Sequence, residues 1–307
     1  MSGPLPPSRD ESDLMHIGLA SCTKLPEWEV DDQPLVEALQ EQGVRVSQPA
    51  WDDADFEFSS LDACLVRTTW DYEHRRDEFL QWARNTDACT AFFNPPAIIE
   101  WNTHKSYLRD LAEAGVPSIP TEWLVTGANV DLGALLDRRG WARGFLKPVV
   151  GSTARGTFRF NTDGPSLAEA QAFLQERLGI EDMMVQPYLD HVETGGEESI
   201  MLVDGQVTHA VRKVPVPGDY RVQDDFGATD EILEPDERDT EFARQIMAMV
   251  AERFKTGPLL YGRVDLLRDA SGTPLLNELE LVEPSFFFRH GPGAGRELAT
   301  ALLNRLA

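Results

Sequence analysis

Three acidic residues near the C-terminus, Asp265, Glu278 and Glu280, are spaced for metal chemistry. They fall in "YGRVDLL" and "LLNELELVEPS", which read as the two arms of one β-hairpin turned at "DASGT". Side chains alternate along a strand, so Glu278 and Glu280 share a face, where two carboxylates without partners repel each other. A divalent cation would relieve that repulsion. A solvated strand face explains the same pattern equally well, so the hairpin needs support from elsewhere in the chain.

That support comes from lysine. Of the 28 Lys and Arg residues only five are lysine, Lys24, Lys105, Lys147, Lys213 and Lys255, so arginine serves as the generic surface cation here. A lysine inside a strand then asks for a reason, and its compact charge on a flexible stem suits a phosphate in a tight cleft. Lys147 stands in the apolar run "FLKP", and the loop "GSTARG" follows it, carrying Gly151, Ser152, Thr153, Arg155 and Gly156. A Gly- and Ser/Thr-rich loop between two antiparallel strands can fold its backbone amides over phosphate oxygens, with a strand lysine beneath them. Taken alone, most such loops are simply turns.

Composition narrows the classes. The chain of 307 residues is 42% hydrophobic and 26% charged, which suits a soluble enzyme of two or three small domains. A formal charge of −24 argues against nucleic-acid and anionic-membrane partners, because no basic patch interrupts it. Three scattered cysteines, Cys22, Cys64 and Cys89, suit a reducing compartment, with the cytoplasm as default. No apolar run reaches the length of a membrane span, and residues 1–13 read as a flexible tail without signal-peptide character. The chain has no paired histidines at helical spacing, no "GxxxxGK[ST]", no "GxGxxG" and no "GxSxG".

Periodicity predicts an α/β organisation. "MHIGLAS", "VRVSQPA" and "LDACLVRTTW" alternate with the helix "QPLVEALQEQG", the helix "RRDEFLQWARN" follows, and "AFFNPP" closes a parallel βαβ domain over residues 14–97. A helix is predicted around "NTHKSYLRDLAEAG", N-capped by Asn102 and stopped by Gly115. Strand "TEWLV", helix "LGALLDRRG", the strands flanking the Gly loop and helix "SLAEAQAFLQERLG" extend a second region to residue 184. "MMVQPYL" then leads to a hairpin turned at "VDGQ" and to the acidic hairpin, a third region over residues 185–307.

In this order the motifs resemble the ATP-grasp superfamily, in its branch of glutathione synthetases and ribosomal-protein glutamate ligases, and within it the cycloserine-forming cyclo-ligases. The resemblance covers residues 98–307. It implies a parallel N-terminal domain followed by two α+β subdomains, a lid over 98–184 and a metal-bearing part over 185–307, that clamp ATP between antiparallel sheets. It further implies that Lys105 and Lys147 contact the phosphates, that Gly151, Ser152, Thr153 and Gly156 close over them, and that the backbone at Tyr188 and Leu189, helped by Gln186, holds adenine. A carboxylate at Glu197, with Glu193 and Glu198 as rivals, would take the ribose. Asp265, Glu278 and Glu280 match the metal positions, implying two Mg2+ ions, with Mn2+ as a substitute. Glu280 stands where the family has Asn, which leaves the ion number open.

Ser199 stands where relatives carry Arg, so Arg212 or Lys213 is expected to supply that cation, and Arg221 in "PGDYRVQDD" to stabilise the anionic intermediate. The implied chemistry is ATP-dependent C–N ligation or cyclisation through an acyl phosphate. For the substrate, taken to be small and amino-acid-like, the strand ends offer Thr23, Arg67, Thr69 and Asp71, with Arg67 toward a carboxylate and Asp71 toward an ammonium. Local helix capping explains Thr69 and Asp71 equally well. Two other readings stand beside this one: a ligase acting on a peptide or protein terminus, and a nucleotide-binding protein without ligase chemistry. Family resemblance makes a homo-oligomer reasonable.

Overall fold

A computed structural model describes residues 14–23, 30–152, 154–222 and 226–307, so the expected N-terminal tail and Thr153 lie outside the described residues. The N-terminal sheet contains β1 (His16–Ser21), β2 (Arg45–Ser47), β3 (Ala63–Thr68) and β4 (Ala91–Phe93), all parallel in the order β2-β1-β3-β4. Every residue of β1 and β3 is buried, as a parallel sheet covered on both faces requires. Helices α1 (Gln33–Glu41) and α2 (Arg76–Asp87) supply the covering.

The next segment departs from expectation. Two short helices form, α3 (Pro96–Asn102) and α4 (Tyr107–Glu113), with Lys105 between them. Asn102 ends α3 and does not cap a helix start: its amide donates to the Leu279 carbonyl at 2.8 Å and accepts the Leu281 N–H at 2.8 Å. Those two backbone groups on a strand edge have no neighbouring strand, and Asn102 satisfies both. Ile98, Tyr107, Leu108 and Leu111 pack in the core of the C-terminal sheet, so this segment belongs with that sheet rather than with the lid.

The lid is built from β5 (Glu122–Leu124), α5 (Leu132–Arg139), β6 (Arg143–Pro148), β7 (Phe158–Asn161), α6 (Pro165–Leu178) and β8 (Met183–Pro187). Its sheet runs β5-β8-β6-β7 with antiparallel pairing, and α5 and α6 share one core with it. After the short α7 (Val192–Gly195) come β9 (Glu197–Val203), β10 (Gln206–Val214), β11 (Thr229–Leu233), α8 (Glu237–Phe254), β12 (Tyr261–Arg268), β13 (Pro274–Glu280) and α9 (Ala294–Leu306). The five strands form one antiparallel sheet in the order β11-β10-β9-β12-β13. Among the described residues no helix is long and apolar enough to cross a membrane.

Alternation in this sheet decides which side chains meet. On one face Ile200, Leu202, Ala210, Val264 and Leu279 pack under α8 and α4. On the other face Met201, Val203, Val211 and Tyr261 join the core shared with α1, α9 and Phe286–Phe288. Continued toward one end of the sheet, this second face carries Glu197, Lys213, Arg263 and Asp265. The β12–β13 register pairs Asp265 with Glu278 and Arg263 with Glu280, and an irregularity after Asp265 leaves Asn277 as an extra residue on β13.

Arg67 fastens the N-terminal domain to this sheet. It is 2% exposed, bonds Asp32 through Nε and Nη2 at 3.1 and 2.6 Å, donates to the Pro284 carbonyl at 3.2 Å, and lies over the rings of Tyr261 and Phe286. Replacing Arg67 by Leu strands the Asp32 carboxylate, so a loss of about 3–5 kcal/mol is expected in urea unfolding. Adding Asp32→Leu should recover most of it, whereas an unchanged midpoint in the single variant would show that the pair is not structural.

Candidate active site

A cavity of about 490 Å3 opens where the lid, the C-terminal sheet and the N-terminal domain meet. Lys105 arrives from the α3–α4 junction, where its N–H bonds the Val149 carbonyl at 2.9 Å. Lys147 comes from β6 and is 4% exposed. Both ammonium groups converge on one carboxylate, Glu278, at 3.0 and 3.1 Å. Burial raises the Glu278 carboxyl, but the two lysines outweigh it and bring it down to about 2. Lys105 is held above its ordinary value because Glu278 outweighs burial, while burial and the neighbouring Lys105 lower Lys147.

The other two metal candidates are also matched by cations. Burial would raise Asp265, yet Arg263 and Lys213 hold it well below the usual carboxylate range. Arg263 bonds both its oxygens at 2.9 Å and reaches Glu280 at 2.5 Å, Ser199 donates to Asp265 at 2.6 Å, and Lys213 stands 3.6 Å away. Burial raises Glu280 against the pull of Arg263. Asp265, Glu278 and Glu280 line the cavity together, but among the described residues no three carboxylates are gathered tightly enough to hold a cation unaided. As oxygen donors these three suit a hard divalent ion that takes its remaining oxygens from a phosphate.

Glu197 lines the cavity and bonds Lys213 and Asn277, whereas Glu198, one residue on, faces away to Arg268 and Arg212. Glu193 is held by Tyr188, Arg159 and Arg143. Strand alternation likewise separates Lys213, in the cavity, from Arg212, which pairs outside it with Glu231. Gln186, Tyr188 and Leu189 line the cavity beside Phe145 and Tyr220. Arg221 lines the cavity too, bonded to Asp219 at 2.6 Å and seated 3.9 Å from the Phe226 ring.

The phosphate-loop candidates are held from two sides. The Ser152 N–H and hydroxyl donate to Glu73 at 2.6 and 3.2 Å, and Arg155 Nε donates to the same carboxylate at 2.6 Å. Across the loop, Thr157 and Tyr220 share a hydrogen bond at 3.0 Å. Gly151 and Gly156 flank this clasp, and Gly156 has φ +67°, the left-handed conformation that favours glycine. A carboxylate of the N-terminal domain thus occupies an amide and a guanidinium of the loop expected to cover phosphate.

The four substrate candidates do not line the cavity. Arg67 is committed to Asp32, Thr69 is fully buried, Asp71 accepts the Trp51 indole N–H at 2.8 Å, and the exposed Thr23 bonds Asp52 at 2.9 Å. Their neighbours Trp70 and Tyr72 line it instead, with Glu283 beside them. Arg263, Glu73, Tyr72, Asn277 and Glu283 are the residues that sequence reasoning missed. Arg263 lies two positions before Asp265 in "GRVD", and period-two spacing placed both on one face; Glu73 and Tyr72 carry no such local mark.

Residues 17–94 match the family described as D-cycloserine synthetase DcsG, N-terminal domain, and residues 110–270 match the prokaryotic glutathione synthetase ATP-grasp domain. The chain is 33% identical over 292 residues to the cycloserine biosynthesis protein DcsG of Streptomyces lavendulae, covering 90% of this chain and 94% of that protein. It is 28% identical over 193 residues to a glutathione synthetase of Parasynechococcus marenigrum, covering 62% and 56% respectively. The crystal structure of D-cycloserine synthetase DcsG superposes with a TM-score of 0.85 at 28% identity, over 95% of this chain and 100% of that one. The ATP-grasp ligase PsnB, complexed with a phosphomimetic precursor variant, Mg and ADP, shares the fold at a TM-score of 0.64 and 19% identity, over 95% and 98%.

The Glu73 clasp makes a direct prediction. In Glu73→Ala the Ser152 amide loses its acceptor, and hydrogen exchange across residues 151–157 should rise by about tenfold, the equivalent of one hydrogen bond. Unchanged protection there would mean that the loop is held by other contacts.

Proposed function

Because the chain belongs to the ATP-grasp ligases, in the branch of the prokaryotic glutathione synthetases and DcsG, we propose that it is an ATP- and Mg2+-dependent C–N ligase or cyclo-ligase. Its substrate is a small, amino-acid-like carboxylate, activated as an acyl phosphate and then attacked by an amine. One observation carries the reading: two of the chain's five lysines, 42 residues apart in sequence, converge on a carboxylate of the acidic hairpin inside one cavity. The cavity, bounded by three parts of the chain, supports a nucleotide and a small acid as its occupants.

Each residue then has a task. Tyr188 and Leu189 offer backbone groups to the adenine edge beside the Phe145 and Tyr220 rings, and Glu197 is the cavity carboxylate placed for ribose hydroxyls. Lys105 and Lys147 leave Glu278 for the phosphate oxygens, which frees Glu278, with Asp265 and Glu280, to hold magnesium. Magnesium held by these carboxylates would supply positive charge against the phosphates. Arg263 and Lys213 keep Asp265 ionised and oriented, and they bring cationic charge to the end of the cavity where Ser199 has none. Arg221, also at the cavity, is assigned to the anionic intermediate. Closure of residues 151–157 keeps water from an acyl phosphate that would otherwise hydrolyse.

Acid- and amine-dependent release of ADP and phosphate tests the reading. Lys147→Ala removes a charge-assisted contact to phosphate and should weaken ATP binding by about 10- to 100-fold. Equal ATP and magnesium affinity in the variant and the wild type would place the phosphates elsewhere.

A further inference from the structure

One carboxylate in the cavity differs from all the others. Glu278 has Lys105 and Lys147, Asp265 has Arg263 and Lys213, Glu280 has Arg263, Glu197 has Lys213, and Asp31 has Arg289. Glu283 lines the same cavity, and among the described residues no lysine or arginine pairs with it. Its side-chain partner is a neutral phenol, the Tyr72 hydroxyl. A half-buried carboxylate with no ion-pair partner of its own is costly to keep ionised: Glu280 adds repulsion, and Lys105, committed to Glu278, offsets it only at longer range.

The surroundings are built rather than loose. The Trp70 indole donates to the Glu283 carbonyl at 3.3 Å, Arg67 holds the Pro284 carbonyl at 3.2 Å, and Arg263 holds the Ser285 carbonyl at 3.0 Å. Tyr72 is stacked on Phe79 with ring centroids 4.9 Å apart, which fixes its hydroxyl. Trp70, Tyr72 and Phe287 add aromatic walls, which favour an organic cation.

We propose that Glu283 and Tyr72 form the subsite for the ammonium group of the acid to be activated, so that this ligase takes a free amino acid in preference to a plain carboxylate. The proposal rests on the ligase reading above. The cation missing from Glu283 arrives with the substrate. Glu283 lies three residues beyond Glu280, at most about 10 Å along the chain. A small zwitterion can therefore place its ammonium at Glu283 and its carboxylate toward the metal end of the cavity. The Trp70–Glu73 segment would then serve two ends at once, with Trp70 and Tyr72 around the ammonium and Glu73 on the phosphate loop.

Hydroxylamine tests this without knowledge of the natural amine, because it attacks an acyl phosphate to give a hydroxamate and releases phosphate. With the full-length protein, ATP and Mg2+, the probes are the alanine and serine enantiomers, set against propionate, lactate and N-acetylalanine. The expected result is hydroxamate from at least one free amino acid, with its deaminated and acetylated counterparts at least about tenfold poorer in kcat/KM. Glu283→Gln should lower kcat/KM for that amino acid by about 10- to 100-fold, through KM, and leave the KM for ATP and the rates with deaminated acids unchanged. Tyr72→Phe should lower it less. Equal use of alanine and propionate, or an equal loss in Glu283→Gln on both, would overturn the subsite. A raised magnesium requirement in that variant would instead make Glu283 a metal ligand and also overturn it. If ATP binds but no acid yields hydroxamate, the ligase reading fails and the subsite falls with it.

Discussion

The structure depends on matching buried charge. Six carboxylates and seven basic side chains line one cavity, and for buried ones such as Lys147, Glu197, Lys213, Arg263 and Asp265 an uncompensated charge is strongly destabilising. Pairing is arranged across the fold: Glu278, on the C-terminal hairpin, meets one lysine from the α3–α4 junction and another from the lid. The lid, the helical junction and the hairpin are therefore held in mutual register by electrostatics as well as by the apolar cores beneath them.

The same matching explains how the site can exchange partners. In the proposed reaction the lysines that neutralise Glu278 are those assigned to phosphate, and the Ser152 amide and Arg155 guanidinium held by Glu73 belong to the loop proposed to cover it. On that reading phosphate would compete for both, and a divalent cation would take the place of the lysines on the carboxylates. Ground-state ion pairs thus occupy the geometry that nucleotide and metal would take over together. Arg67 and Tyr261 sit outside this exchange. They pin the N-terminal domain to the sheet through Asp32, Pro284 and the carbonyls of Val66, Phe93 and Val282, so the platform stays fixed while the cavity changes partners.

Much of this was legible in the sequence wherever the signal was local. Period-two alternation placed Glu278 and Glu280 on one face, and the scarcity of lysine singled out Lys105, Lys147 and Lys213. Long-range pairing was not legible. Arg67 ends a strand and looks free for a ligand, but Asp32, 35 residues earlier, claims it. Asn102 looks like a cap because it precedes a helical pattern, yet its partners are strand-edge groups about 180 residues on. Helix α8 went unread although Ala243, Ile246, Met247 and Val250 recur at helical spacing. Glu73 and Glu283 carry no motif; only the folded chain shows that one grips the phosphate loop and the other has no cation.

With its carboxylates satisfied by lysine and arginine, the acidic hairpin is expected to bind a metal only in company with nucleotide. Manganese binding followed by electron paramagnetic resonance, with and without a non-hydrolysable ATP analogue, measures this directly. The account predicts saturable Mn2+ binding in the presence of the analogue and none at the same concentrations in its absence. Equally tight binding without the analogue would contradict it.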